Sequence, residues 1–486
     1  MAPALRIARP SASPVPTREA GAATDLTPVA HPAPRLPYWE RTGSVYPLVT
    51  FRVLFGLVAA LGAARFLAEG WVGRLLLDTP FKFSFYGLAW VPQPGPAAAH
   101  ALYVVILAAA LCLAAGYRYR LAAPAFVASF AYAEVLDATH YLNHYYLVVL
   151  FGVLLCFMPA HAAWSLDARA GRVVRRHRIP AWCLHALQLQ LALVYVFAGL
   201  AKVDADWLLR AMPLAIWLPE HAHWPLVGPL LARPWVAYVA SWAGCLYDLT
   251  IVGFLLHPRT RRYAYPVVLG FHGATWALFN IGLFPLIMST ATLVFFPAAA
   301  HRRWWRRLHD WWTGGTALPP FEPGRRAAYA ADPTRTPTPP LLRVGLVAFF
   351  ALQLALPLRT LAYPGPATWS EEGYRFGWRV MLVEKVGTAR FTVRDGETGR
   401  TVEVDHRGFL SDYQAKQMAI QPDFVLQFAH RLAAHYRQLG WSSPEVYADV
   451  HVALNGRRSR RLVDPAVDLA QERDGLSPKP WILPLQ

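Results

Sequence analysis

Nine apolar stretches run through residues 47–358, and they leave this chain few ways to fold. They lie near 47–68, 101–117, 121–139, 143–160, 184–202, 235–256, 263–281, 283–300 and 341–358. A bilayer core asks for about 20 mainly apolar residues per helix. Backbone within lipid must satisfy its own hydrogen bonds, which leaves helices or closed barrels. Runs that are continuously apolar, with no strict alternation, select helices. Composition agrees: of 486 residues, 55% are hydrophobic and 16% charged, against about 45–50% and 25% in soluble domains. That balance excludes a disordered protein, a collagen and a disulfide scaffold, and argues against an ordinary soluble enzyme.

The charges give the chain an orientation. Forty-seven basic and 30 acidic residues leave a net charge of +17. In a soluble chain this would suggest a nucleic-acid partner, but here the cations sit in short loops between apolar stretches, so no nucleic acid is expected. Arginines crowd the N-terminal tail and the loops after the second stretch (Arg118, Arg120), the fourth (Arg169, Arg172, Arg175, Arg176, Arg178), the sixth (Arg259, Arg261, Arg262) and the eighth (Arg302, Arg303, Arg306, Arg307). The alternate loops are poor in Lys and Arg. Nine spans with the N-terminus inside and the C-terminus outside satisfy every loop.

The ends differ from the middle. Residues 1–46 are rich in Pro, Ala and Arg and have no apolar core, so they read as a disordered tail and not as a signal peptide. Residues 359–486 read as a small α+β domain, mostly β, outside the membrane. Tyr374–Lys385 and Thr388–Arg394 alternate as strands, Asp395-Gly396 and Asn455-Gly456 supply turns, and 411–438 has helical spacing. The fold class expected is thus a polytopic α-helical membrane protein with a C-terminal, mostly-β extracytosolic domain. Its parts are a tail (1–46), a transmembrane domain (47–358) and the outer domain (359–486).

Ionisable groups within spans are costly, and each is a functional candidate. Here they are Arg52, Glu134, Asp137, His140, His144, Lys202, Asp248 and His272. Lys202 stands out because the chain has only five lysines among its 47 cations. It reads either as a snorkelling interfacial lysine or as a general base, a role arginine cannot fill because it does not deprotonate. His144 and Asn143 open span four and read as a cap or as substrate-orienting groups. His140 and His144 are four apart, but no third ligand is evident and no metal is expected. His272 near mid-span reads as a helix–helix hydrogen bonder or as a ligand to a substrate. The topology brings Asn143, His144, Lys202, Asn280 and the outer domain to one membrane face, which suggests a capped cavity open to lipid. The four cysteines, Cys112, Cys156, Cys183 and Cys245, show no CxxC or metal spacing and read as small buried hydrophobes.

These residues carry a resemblance. Phe51-Arg52 with Leu54-Phe55-Gly56, Leu142-Asn143-His144, Ala163-Trp164-Ser165-Leu166-Asp167, Phe197 to Lys202 and on to Trp207, Phe271-His272, Phe279-Asn280-Ile281-Gly282, and Trp369 through Met381 make the chain resemble the vitamin K-dependent γ-glutamyl carboxylases and their bacterial relatives. The resemblance runs from about Tyr46 to about Gln471. It implies that a naphthohydroquinone, vitamin K hydroquinone or menaquinol, is deprotonated by Lys202 and oxygenated by O2 to the epoxide. The strong base formed on the way would take a γ-proton from a peptide glutamate, which then adds CO2. It also implies that His144 hydrogen-bonds the oxyanion, that Asn143, Gln190, His272 and Asn280 hold the quinol, and that Trp369, Tyr374 and Trp378 lie near the glutamate. No metal is implied. The partners would be membrane lipid, the quinol and a glutamate-containing peptide, and the membrane a bacterial plasma membrane.

Departures from the family shape the reading. Ala201 stands where animal members have a second lysine, Thr360 where many relatives have histidine, and Thr275-Trp276 replaces an Asn-containing run. Quinol epoxidation is therefore better supported than carboxylation. Two alternatives stay open: epoxidation without carboxylation or with another acceptor, and a non-enzymatic quinone- or lipid-binding or transport protein. A transporter would more often show repeated halves, and none is evident.

Overall fold

A computed structural model of the chain describes residues 36–79, 81–313 and 335–485. The disordered tail expected over 1–46 lies outside the described residues up to residue 35, but its last residues, Tyr38 to Tyr46, are ordered by pairing with Arg178–Pro180 and by the start of the first helix. Tyr38–Glu40 forms a 3-10 turn, and strand β1 (Thr42–Ser44) pairs antiparallel with β2 (Arg178–Pro180).

Helices occupy the expected apolar stretches: α1 (Tyr46–Ala68), α2 (Pro96–Ala115), α3 (Tyr119–Val135), α4 (Asn143–Phe157), α5 (Trp182–Ala201), α6 (Pro234–Leu256), α7 (Arg261–Leu278), α8 (Phe284–Ala291) and, after α9 (Ala298–Thr313), α10 (Pro340–Leu358). Among the described residues five are long and apolar enough to cross a membrane: α1, α2, α5, α6 and Pro340–Ala362, which is α10 with the turn after it. The stretch expected over 283–300 is not one helix. It is α8, a 3-10 turn at Thr292–Phe295, and the start of α9 beyond Pro297, because a proline cannot continue the ladder.

Sequence signatures tie one end of the bundle together. Arg52 in α1 is fully buried and donates to the carbonyls of Ala160 (2.7 Å) and Trp164 (2.6 Å). Asp167 accepts from the backbone N–H of Arg118 and Tyr119, 2.9 Å each, and so satisfies donors at the start of α3. Gly116 closes α2 in the left-handed region, where a Cβ would fall within 2.4 Å of Ser165. The Phe-Arg and Trp-Ser-Leu-Asp runs are thus architectural.

The C-terminal part is a four-stranded antiparallel sheet in the order β4 (Thr401–Val404), β3 (Lys385–Asp395), β5 (Pro444–Leu454), β6 (Arg460–Arg461). The β3–β5 register runs from Lys385 opposite Leu454 to Asp395 opposite Pro444. Alternate β5 residues, from Val446 to Leu454, are buried with Phe391 and Val393. The helical run expected over 411–438 is two helices, α11 (Asp412–Ile420) and α12 (Pro422–Gln438), because Pro422 biases Gln421 to extended geometry. The strand expected over Tyr374–Lys385 does not form before Lys385. Glu371, Gly373, Phe376, Trp378 and Met381 all have positive φ, so this segment is a looped linker. The sheet domain meets the helices through Phe83 and Ala138, which lie in its core. Gln414 bonds Asp137 (2.8 Å), and Gln427 bonds both backbone groups of Ser84.

Candidate active site

The end of α5 carries the run Lys202-Val203-Asp204-Ala205-Asp206-Trp207, and each polar group in it has its own task. Asp204 caps the next helical turn, accepting from Asp206 N–H at 2.8 Å. Asp206 receives both guanidinium arms of Arg457 at 2.6 Å, Arg210 at 2.9 Å and Asn455 at 3.1 Å, so it docks the β5–β6 turn onto this end of α5. Burial works to raise the Asp206 carboxyl, but the hydrogen bonds from Arg457 and Asn455 outweigh it and hold it below the ordinary carboxylate range. Trp207 donates to Ser241 O (2.7 Å) in α6.

Lys202 turns inward. Its Nζ donates to Asp248 Oδ2 at 2.8 Å and to Ala198 O at 3.3 Å, and lies 5.3 Å from the Trp207 ring centroid. The pairing depends on a close crossing of α5 and α6: a Cβ on Gly199 would come within 2.7 Å of Leu249, the neighbour of Asp248. Lysine and aspartate are each about 7% exposed in their side chains.

Both line an apolar cavity of about 240 Å3 whose walls include Tyr195, Trp207, Gly244, Phe271, His272, Phe279, Phe284 and Met381. His272 Nε2 is 3.0 Å from the Tyr195 hydroxyl, which lies 3.4 Å from that of Tyr247. His272 Nδ1 is buried with no hydrogen-bond partner among the described residues.

A second cavity, of about 520 Å3, adjoins the first and shares Ile281, Phe284, Val380 and Met381 with it. It holds Asn143, His144, Asn280, Arg65 and Arg379. Phe284 is the partition: its ring centroid is 5.7 Å from that of His144 and 5.9 Å from that of His272. Asn143 donates to Arg379 O (3.1 Å), which ties the mouth of α4 to the linker. Arg379 donates to Thr360 (3.2 Å) and has no acid partner among the described residues. It also lines a third, more polar cavity of about 260 Å3 that reaches Asp204 and Trp207.

Of the nine residues expected at the site, Lys202 and His272 share the first cavity, and Asn143, His144 and Asn280 share the second. The other four line neither. Gln190 is fully buried, with neither amide atom bonded among the described residues. Trp369 sits in the core of the sheet domain and donates to Leu483 O (2.7 Å). Trp378 stacks on Tyr146, centroids 5.2 Å apart. Tyr374 lies beside Glu371, and burial, then that carboxylate, push its phenol well up. Glu371 in turn is pushed up by burial and opposed by Lys385, 2.5 Å away. Among the described residues no group of three or more His, Cys, Asp or Glu could hold a metal ion.

Sequence reasoning flagged Asp248 as an in-span acid but did not pair it with Lys202, and it missed Tyr195, Phe284 and Arg379. Tyr195 and Ala198 precede Lys202 by seven and four positions, so helical spacing could have placed all three on one face.

Comparison with known proteins assigns both halves of the chain. Residues 41–299 match the HTTM domain, and residues 338–486 match the lumenal domain of vitamin K-dependent gamma-carboxylase. No solved structure matches the chain. One match covers more than half of the chain and the other most of the remainder, so the chain belongs to the family of vitamin K-dependent gamma-carboxylase-like membrane proteins built on an HTTM domain.

Proposed function

We propose that this protein is a quinol-oxygenating membrane enzyme in which Lys202 is the general base. The observation that carries the reading is a lysine amine buried in an apolar cavity and hydrogen-bonded to a single carboxylate, Asp248. The 2.8 Å bond from Nζ to Oδ2 is a path by which the ammonium can give up its proton, leaving a neutral amine beside a neutral acid. The neutral amine is the form that can accept a proton from a phenol.

The cavity fits the ring system that the family implies. An apolar cavity of about 150 Å3 takes benzene, and 240 Å3 has room for a fused pair of rings. His272 Nδ1 lacks a partner and could meet a ring oxygen, with its tautomer set by Tyr195. Bound there, a naphthohydroquinone with O2 would supply the oxidation energy that makes a base stronger than any side chain. His144 lines the second cavity, beyond Phe284, and makes no side-chain hydrogen bond among the described residues; in this reading its free ring nitrogens serve an oxyanion that reaches that cavity. The apolar walls keep water out of the proton transfer.

The acceptor is the open half. Arg379, a cation without an acid partner among the described residues and lining both the second and third cavities, favours an acidic acceptor such as a peptide glutamate that takes up CO2. Trp369, Tyr374 and Trp378 line none of the three cavities, which favours the second reading, epoxidation without carboxylation. Alternation of basic loops supports nine spans with the N-terminus inside, and with them a tail (1–46), a transmembrane domain (47–358) and an extracytosolic domain (359–486) in a bacterial plasma membrane.

The test is purified protein in detergent with reduced vitamin K, O2, labelled bicarbonate and a glutamate-containing peptide, wild type against Lys202→Ala. Epoxide from the wild type alone supports the base. Label in the peptide selects carboxylation. No epoxide from folded wild type refutes the reading.

A further inference from the structure

Helix α9, with the sequence AAAHRRWWRRLHDWWT, divides into three faces, and the oxygenase reading uses none of them. One face is anchored. His301 is fully buried with Nδ1 2.9 Å from Thr50 Oγ1, and Trp305 Nε1 donates to the same oxygen at 2.9 Å. Thr50 lies one turn into α1, so α9 is fastened to the N-terminal end of that helix. Trp305 also meets Trp164 edge-on, with centroids 5.4 Å apart.

The second face is apolar and exposed: Leu308 is 50% and Trp311 75% accessible. The third is cationic. Arg302, Arg303, Arg306 and Arg307 are all exposed. At 100° per residue they fall on one side of the helix, with Asp310 as the acid among them. Arg303, Arg306 and Arg307 have no acid partner among the described residues. The Arg302 guanidinium lies 5.3 Å from the Tyr46 ring centroid, and the Tyr46 hydroxyl is 2.8 Å from His177 Nδ1. That contact brings the loop carrying exposed Arg176 beside α9 and extends the cationic surface.

We propose that this face binds the phosphate headgroups of anionic phospholipids, with α9 lying along the membrane surface at the end where α1 begins. A guanidinium row next to an exposed Leu and Trp matches the boundary between headgroups and acyl chains. A soluble anion would make no use of the apolar face. Arginine suits phosphate because its fork donates two bonds at once. The site lies at the opposite end of α1 from Gly62 and Arg65, which line or border the second cavity, so it is separate from the quinol chemistry.

The test uses the full chain in a neutral detergent, with thermal midpoints read as lipid is added. Water-soluble short-chain phosphatidylglycerol should raise the midpoint of the wild type, and phosphatidylcholine and glycerol phosphate should not. Arg303→Gln/Arg306→Gln/Arg307→Gln should weaken the apparent phosphatidylglycerol affinity on the order of a hundredfold, as expected for three cations at a charged surface. Arg303→Lys/Arg306→Lys/Arg307→Lys should keep most of it. The idea fails if phosphatidylcholine works as well as phosphatidylglycerol, or if the Gln variant responds like wild type. An equal response to glycerol phosphate would make this a site for soluble anions and overturn it too. Should the triple Gln variant not fold, Arg303→Gln alone, together with the three wild-type arms, decides the matter.

Discussion

Lys202 and Asp248 form a closed pair: 2.8 Å apart, both buried, and contributed by α5 and α6 where Gly199 lets the helices touch. Each partner is the other's main compensation for leaving water. Removing one strands a charge at a cost of about 3–5 kcal/mol, whereas replacing both by apolar groups can be neutral. Asp248→Ala should therefore lower the thermal midpoint more than Lys202→Met/Asp248→Leu does. Lys202→Arg keeps the charge but cannot become a neutral base, so its epoxide formation should fall by about 100-fold or more. A Lys202→Arg protein with near wild-type turnover would end the general-base assignment.

The Asp206–Arg457 contact carries a pH dependence. The folded carboxyl titrates below its unfolded value of 3.8 because the bonds from Arg457 and Asn455 outweigh burial. Its contribution is therefore complete above the unfolded value and is lost as pH falls through the lowered one. The gap in thermal midpoint between wild type and Asp206→Asn should be flat near neutrality and close in acid. A gap that persists well below pH 3.8 would show that the asparagine fails for steric reasons.

Much of this arrangement was legible in the chain and part was not, for physical reasons. Lys202 drew notice because lysine is rare here, and the apolar stretches became helices because backbone in lipid has no alternative. The Lys202–Asp248 pair was hidden, since 46 positions separate its partners and only the α5–α6 crossing joins them. Residues 374–384 alternate like a strand, yet Phe376, Trp378 and Met381 hold positive φ. Bulky residues give no local signal for that conformation, which only tertiary contacts such as the Trp378–Tyr146 stack can impose. Trp369 and Trp378 stand out by type, but their positions are core positions.

Phe284 separates His272 from His144, and its removal should join the two cavities. With Phe284→Ala, water from the more polar second cavity reaches the first. Quinol consumption should then outrun epoxide formation, a ratio that chromatography reads directly. Equal ratios in wild type and variant would mean that the partition has no part in keeping the site dry.

Arg379 faces two cavities with Thr360 as its only side-chain partner among the described residues. If it receives the acceptor's carboxylate, Arg379→Met should raise KM for a glutamate-containing peptide about 10-fold or more, the worth of a charge-assisted hydrogen bond. Arg379→Lys should recover part of the loss, because a point charge survives without the fork. An unchanged KM in Arg379→Met would exclude the residue from acceptor binding.

Gln190 gives the sharpest contrast between resemblance and geometry. The resemblance places it on the quinol, but its amide is wholly enclosed, lines neither cavity, and has no hydrogen-bond partner among the described residues. A buried amide left unpaired costs about 1–3 kcal/mol. Gln190→Leu removes that cost at nearly the same volume, so the variant should melt at or above the wild-type temperature and keep its quinol KM. If the amide does hold the quinol, α5 must rotate to present it, and Gln190→Leu would raise KM while leaving the fold intact. Comparing melting temperature and KM in this one variant separates a structural residue from a binding one.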